Sequence, residues 1–524
     1  MDAPASIQTL EAVWADYYAL WAAWLRDSNQ RLPDAALAAQ ELELLAARYE
    51  LGALLRGLPD ALDDDDAFAV RNLRTSLPDL DVWVPAFDGI DFGDGGDALL
   101  PEEPEAAALR REVLDAFTSA ASSMRVGRER LHRLTLQERL AREEDPAVRR
   151  ELFDALRTLG EVVDGDGGET SPYRRLLQSS AARWARDGSP IDANAAGLGI
   201  EPSSVERMLR SVMRAFRELA IGPDLVEPWD YRYLAGGLGR RLDELVPRER
   251  LLEINALHLS SLGADPARLG VEYDIFPRPG RPNITVAFTF ALELPPRQPD
   301  GGFGAARSQV FATYEIGSLG NLEELLHESG HAIQDAAVRV RPLLAATPSS
   351  HGAFWEAFAD VLGKDAVEPA FLAHNLGASV SPREATIARY GGVMLDCAWT
   401  LFEIELHRHP SRRPNDVWAE IMERSLGVRG HPEWSWWATR TQLIDGPGYM
   451  ANYALGAVMV AAVRARIREL RGDWSTGDPG WYAFVSDHLL QWSGAREPSD
   501  ILREFLGGPL TADALLEEIQ SGAA

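Results

Sequence analysis

Cysteine is almost absent from this chain. Cys397 stands alone among 524 residues, so no intrachain disulfide can form and no zinc site made of cysteines is possible. Any metal must be held by histidine, aspartate or glutamate. Lysine is just as scarce. Lys364 is the single one among 52 basic residues, a pattern of coding bias rather than of function. Positive charge is outnumbered overall: 80 acidic residues leave a formal net charge of −28. That balance excludes a broad nucleic-acid surface or a patch for anionic membranes, both of which need clustered cations. Long apolar runs are missing too. The best one, residues 454–463, ends at Arg464 and falls short of the ~20 residues a membrane-spanning helix needs. The opening residues, Met-Asp-Ala-Pro-Ala-Ser-Ile-Gln, lack a basic start and an apolar stretch. No secretory signal is expected, and a reducing, cytoplasmic setting is.

Helical patterning fills most of the chain. At about 150 residues per domain, the length allows one large domain or up to four ordinary ones. Residues 6–57 carry Trp14, Tyr17, Trp21 and Trp24 at helical spacing, a packing stripe. The stretches 105–160, 172–187, 202–221 and 247–262 also read as helical. Between the first two, a Gly/Asp loop at 161–170 (Asp164, Asp166, Glu169) misses the spacing of a calcium loop and reads as a solvated turn. Asp63 to Asp66 reads as a turn or helix start, and residues 84–104 as a long loop. The pattern changes at 283–291 and 308–316, which are β-branched and aromatic with partial alternation. Helices return after residue 320. The expected fold is mainly α, with one small antiparallel sheet beside the middle of the chain.

Residues 327–331 read His-Glu-Ser-Gly-His. Asn321 is a candidate N-cap and Glu324 would complete a capping box. Leu322, Leu325, Leu326, Ile333 and Ala336 then form one apolar stripe. His327 and His331, four residues apart, share the opposite face, where two imidazoles can bind one zinc ion. A catalytic zinc needs a third protein ligand and room for water. Glu356 follows 24 residues after His331, in Phe-Trp-Glu-Ala-Phe-Ala-Asp-Val-Leu. Phe354, Trp355, Phe358, Val361 and Leu362 make that helix's apolar face, and Glu356 and Asp360 fall on the other side. Asp360 can accept the free N–H of a ligand histidine and fix its tautomer. Glu328 can take a proton from a water that zinc polarises. Tyr449 and Tyr453, in Gly-Tyr-Met-Ala-Asn-Tyr-Ala-Leu-Gly, share a helical face. They fit either helix packing or donation to an oxyanion. His407 and His409 flank Arg408 in what reads as an exposed turn, His351 reads as a loop residue, and Cys397 as buried and inert.

These segments resemble the glutamate-zincin peptidases with a deep-channel helical fold: thimet oligopeptidase and oligoendopeptidase F, angiotensin-converting enzyme and carboxypeptidase Taq. His327-Glu-Ser-Gly-His331 is similar to their His-Glu-x-Gly-His. Asn321-Leu-Glu-Glu-Leu and Phe354-Trp-Glu-Ala-Phe-Ala-Asp-Val resemble segments of angiotensin-converting enzyme. Gly448 to Gly456, with Leu426-Gly-Val428 upstream, resembles carboxypeptidase Taq. The likeness covers residues 308–365 and 426–460.

It implies a two-lobed, almost all-α fold with a deep central groove and one zinc ion per chain. It implies a first half, 1–270, walling the groove and a catalytic half, 271–524, the two intertwined. His327, His331 and Glu356 carry over as ligands, Glu328 as base and proton shuttle, and Tyr449 and Tyr453 as oxyanion donors or substrate contacts. Residues 308–316 would be an edge strand that pairs with extended peptide. The implied function is zinc-dependent hydrolysis of short peptides, by an oligopeptidase or a carboxypeptidase. A zinc amidohydrolase with a non-peptide substrate and a catalytically weak peptide-binding relative are the alternatives. The chain also departs from these families. Residues 441–447 lack the histidine that precedes the Gly-Tyr segment in two of them, His431 being the nearest, and Glu356-Ala-Phe lacks the Pro-Ser of the oligopeptidases. A divergent relative is expected.

Overall fold

The computed structural model describes residues 6–29, 34–58, 62–63, 66–70, 73, 104–278, 284, 286–345 and 352–523. His351 and nearly all of the expected loop at 84–104 lie outside them. Helices dominate, as the patterning predicts. The chain forms two compact units. One comprises Met1–Ile90, Val246–Ala366 and Arg468–Phe505, the other Asp91–Leu245, Val367–Ile467 and Leu506–Ala524. The expected boundary at 270/271 falls inside a continuous stretch of the first unit.

In the first unit, the helices Ile7–Asn29 and Asp34–Gly57 pack on each other. Tyr18 of the first stacks on Phe290 at 5.2 Å and Trp21 meets the same ring edge-on at 4.8 Å. Trp14 Nε1 donates to the Pro342 carbonyl at 3.2 Å, so the aromatic stripe is packing. Phe290 belongs to a three-stranded sheet. Its strand, Phe288–Glu293, runs antiparallel to Arg307–Phe311, which runs parallel to Glu272–Asp274. The sheet is thus mixed, with only one of its two pairings antiparallel. Arg307–Phe311 is the central strand, which corrects the expectation of an edge there. Val310 and Phe311 are essentially fully buried, and both strand edges are paired. Phe288–Glu293 lies on the outside of the sheet.

The helix Leu319–Ala337 packs against this sheet and against the helix Gly352–Gly363. Its N-cap is Ser318, whose hydroxyl accepts from the Asn321 N–H at 3.0 Å. The helix therefore starts before Asn321, which sits in the first turn instead of capping it.

In the second unit, the 27-residue helix Pro382–Arg408 starts at a capping box of Ser381 and Glu384 and is buried along much of its length. Val205–Ala220 packs on it and buries Leu209, Val212, Met213, Phe216 and Leu219, a regular apolar stripe. Trp399, Trp418 and Trp437 are fully buried, and Trp399 Nε1 donates to the Trp437 carbonyl at 2.9 Å. The expected helix at 105–160 is interrupted by a hairpin, Met124–Val126 with Glu129–Leu131, which turns at Gly127 with φ 58°. The Gly/Asp loop is only partly solvated. Asp166 and Glu169 are exposed, but Asp164 is fully buried and accepts from Ser171 Oγ at 2.7 Å and Ser435 Oγ at 2.6 Å. His409 is exposed as expected. His407 is not: it lies inside the long helix against the Trp184 ring, 4.0 Å between centroids. Cys397 is buried, which pushes its thiol pKa up. Among the described residues, no helix is long and apolar enough to cross a membrane.

Candidate metal centre

Two helices build the site. The motif helix Leu319–Ala337 buries Leu322, Leu325, Leu326, Ile333 and Ala336, which leaves His327 and His331 on the face toward the helix Gly352–Gly363. The second helix buries Phe354, Phe358, Val361 and Leu362 and offers Glu356 and Asp360 in return. Their crossing depends on Gly330. A Cβ on that residue would stand 2.7 Å from the Ala359 Cα, a distance real Cβ atoms do not reach. Hydrogen is the only substituent that lets the backbones come this close.

The crossing gathers three donor groups. His327 Nε2 lies 3.6 Å from Glu356 Oε2, and His331 Nε2 lies 3.9 Å from Glu356 Oε1. One ligand atom from each of the three residues falls within 4.8 Å of the others. Their side chains are 20–29% exposed, so the cluster is open to solvent on one side.

The other nitrogen of each ring is held. His327 Nδ1–H donates to Asp360 Oδ1 at 3.0 Å. His331 Nδ1–H donates to Gln334 Oε1 at 3.1 Å, and the Gln334 amide donates in turn to the Trp355 carbonyl at 3.2 Å. A charged carboxylate only accepts, and so does the Gln334 amide oxygen, whose NH2 group is given to Trp355, so both rings carry the Nδ1 proton and turn Nε2 to the point they share with Glu356. Two imidazoles and a carboxylate with oriented, converging lone pairs fit a zinc ion of tetrahedral habit.

The charges agree with this grouping. Burial raises the Glu356 pKa, but His327 and His331 outweigh it and bring it below the ordinary value. Burial also opposes charge on His327, and Asp360 and Glu356 outweigh that, so the metal-free ring holds its proton well above the usual imidazole range. His331 is lowered, mainly by burial. Asp360 is held low against burial by Lys364 and His327.

Glu328 reaches the outer strand Phe288–Glu293 through Thr289. The residue is 6% exposed, and burial pushes its carboxyl pKa up to about 7. Thr289 Oγ1 lies 2.7 Å from Glu328 Oε2 and 2.8 Å from the Glu328 main-chain carbonyl. Beneath the helix, Ser329 donates to Asn255 Oδ1 at 3.0 Å and meets the Tyr273 hydroxyl at 3.1 Å, which pins the turn that carries Glu328.

His327, Glu328, His331, Glu356 and Asp360 thus come together in the first unit. Tyr449 and Tyr453 belong to the second, where their rings meet edge-on with centroids 5.5 Å apart. The turn before them is held by Glu403, which accepts the Gly448 N–H at 2.6 Å, and by Asn194, which donates to the Gly448 carbonyl at 3.2 Å. His431 is no stand-in for the missing histidine. Its Nε2 lies 2.8 Å from Glu227 and its Nδ1 2.7 Å from Glu433, so both nitrogens are taken. Thr289, Lys364, Glu323 and Glu403 escaped the sequence reading. A lone threonine or glutamate carries no spacing signal, and only the lysine's rarity marked it out.

No protein-family model and no curated protein matches this chain. Solved structures do match in fold. An M32 carboxypeptidase from Deinococcus radiodurans R1 is 16% identical, with 98% of each chain covered and a TM-score of 0.58. Trypanosoma cruzi metallocarboxypeptidase 1 is 16% identical over 99% of each chain, at 0.55. PZ peptidase A, solved with an inhibitor, is 14% identical over 100% of this chain and 97% of its own, at 0.57. The chain has the mainly helical fold of these peptidases from end to end, and it resembles carboxypeptidases and PZ peptidase A about equally.

Proposed function

We propose that this protein is a zinc-dependent peptidase that hydrolyses short peptides. The observation that carries the proposal is the convergence of His327 Nε2, His331 Nε2 and Glu356, with both histidines oriented through Nδ1. These three residues would hold the ion. Zinc in such a site supplies Lewis acidity toward a carbonyl oxygen and acidifies water.

The remaining chemistry falls to the chain. Glu328 takes the proton of the attacking water and passes it to the leaving amine. A buried carboxyl whose pKa stands near neutrality is suited to both halves of that transfer. Tyr449 and Tyr453 are the proposed donors to the carbonyl oxygen as it becomes negative. Phe288–Glu293, the outer strand that meets Glu328 through Thr289, replaces 308–316 as the proposed edge for an extended peptide. The fold is shared with proteins named carboxypeptidase and with one named oligoendopeptidase F, so internal and C-terminal cleavage are both modes to test.

The test is a pool of short peptides incubated with the zinc-loaded protein, with the chelated protein and with Glu328→Gln, products being read by mass spectrometry. Cleavage by the loaded wild type alone is expected, and its pattern separates internal from C-terminal scission. Zinc binding at unit stoichiometry without any cleavage would overturn the peptidase reading. Full activity in Glu328→Gln would overturn the mechanism.

A further inference from the structure

We propose that Lys364 is a positioning residue of the metal site, and that its compact ammonium cannot be replaced there by a guanidinium. The inference rests on the metal reading above. Two independent observations meet on this residue.

The first is compositional. Arginine serves at every basic position but one. A coding bias that strong replaces lysine wherever a guanidinium can do the work, and residue 364 is the place where it has not.

The second is geometric. Lys364 Nζ lies 2.8 Å from Glu323 Oε1 and 3.6 Å from Asp360 Oδ1, with only 14% of the side chain exposed. Glu323 sits one turn before His327 on the motif helix. Asp360 sits one turn before Lys364, on the helix that bears Glu356. The same Asp360 Oδ1 takes the Nδ1–H of His327 at 3.0 Å. One ammonium therefore closes a path from Glu323 through Lys364 and Asp360 to His327, and ties the two ligand-bearing helices together at this end.

Space there is short. A Cβ on the neighbouring Gly363 would come within 3.1 Å of the His327 Cβ and 3.4 Å of Asp360 Oδ1. An ammonium is a point charge with donors in a tetrahedral arrangement and can share one carboxylate oxygen with an imidazole. A guanidinium is wide and planar, and favours a two-pronged grip on a carboxylate. In this corner that grip would draw Asp360 off His327, and the ring would lose the partner that aims its Nε2.

The experiment compares the wild type with Lys364→Arg and Lys364→Met. Zinc affinity is measured by competition with a chelator of known strength, melting is recorded on the metal-free proteins, and kcat and KM are measured at saturating zinc. Both variants are expected to bind zinc about 10- to 100-fold more weakly, the range for loss of a ligand's supporting partner. In Lys364→Arg, kcat is expected to fall with little change in KM. Should Lys364→Arg fail to fold, Glu323→Gln carries the test. It leaves the ammonium in place, takes the negative charge off the far anchor, and is expected to weaken zinc binding in the same direction.

Zinc affinity and kcat equal to the wild type in Lys364→Arg, or unchanged affinity in Glu323→Gln, would overturn the proposal. If zinc binding by the wild type is lost in His327→Ala at the same time, only the role of Lys364 falls. A wild type that binds no zinc overturns both.

Discussion

At Gly330 the side chain that matters is the one that is missing. A methyl group there would meet the Ala359 backbone at 2.7 Å, so Gly330→Ala must push the two ligand helices apart. Overpacking of this kind costs about 1–3 kcal/mol. We expect a loss of that order in chemical denaturation, together with weaker zinc binding, since Glu356 reaches the histidines only through this crossing. Thr289 works at the same scale. Its hydroxyl has one proton to give and stands between Glu328 Oε2 and the Glu328 carbonyl. Thr289→Val keeps the shape and removes the hydroxyl. A base misplaced by a fraction of an ångström to an ångström loses up to about 100-fold in rate. We therefore expect kcat to fall about 10- to 100-fold with KM nearly unchanged, and Thr289→Ser to recover most of it. Steady-state kinetics of the three proteins decide the matter.

The elements show where local pattern stops informing. Residues 308–316 carry a real strand signal, and a strand forms at Arg307–Phe311. Alternation and β-branching report a half-buried extended chain, not its neighbours, so the signal could not tell a central strand from an edge. The same limit explains Ser318 and Asn321. Both are good capping residues, and the choice fell to the one whose extended backbone (φ −168°) lets its side chain reach the first turn. Ser318→Ala should cost about 1 kcal/mol in a denaturant titration, with Asn321→Ala close to neutral. The arginine-rich hairpin at 124–131 sits in a stretch whose composition reads as helix, and Gly127 was its one visible mark. The outer strand is tied to the first helix by Phe290, buried against Tyr18 and Trp21. Phe290→Ala should lower stability by about 3 kcal/mol. It should also reduce kcat, because Thr289 is the adjacent residue.

For the whole molecule, acid is the informative perturbation. Burial in the second unit lowers the His407 pKa from 6.5 to about 3, and among the described residues neither ring nitrogen has a hydrogen-bond partner. The unfolded chain therefore binds a proton at this position that the native state refuses. The contribution of His407 is complete above pH 6.5 and is lost as the pH falls from there toward about 3, a few kcal/mol in all. His407→Phe, which keeps a ring against Trp184, should flatten the decline of the denaturation midpoint between pH 6.5 and 4. An unaltered decline would contradict the assignment. The net charge of −28 acts over the molecule as well. At low ionic strength it should raise kcat/KM for cationic peptides and lower it for anionic ones, the gap narrowing as salt shortens the screening length to a few ångströms.

By itself the sequence determined the chemistry that is available. With one cysteine, a metal had to fall to histidine and carboxylate, and the helical period alone put His327 beside His331 and Glu356 beside Asp360. Those relations are local, set by 3.6 residues per turn, and survive whatever the rest of the chain does. Tertiary structure decided what no period encodes. It brought Glu356 to the two imidazoles across a crossing that only Gly330 allows. It set Thr289, 39 residues away in the chain, against the carboxyl of Glu328. It placed the one lysine where it ties Glu323 on one helix to Asp360 on the other. Contacts between distant segments depend on which faces meet and how closely, and that is settled by packing.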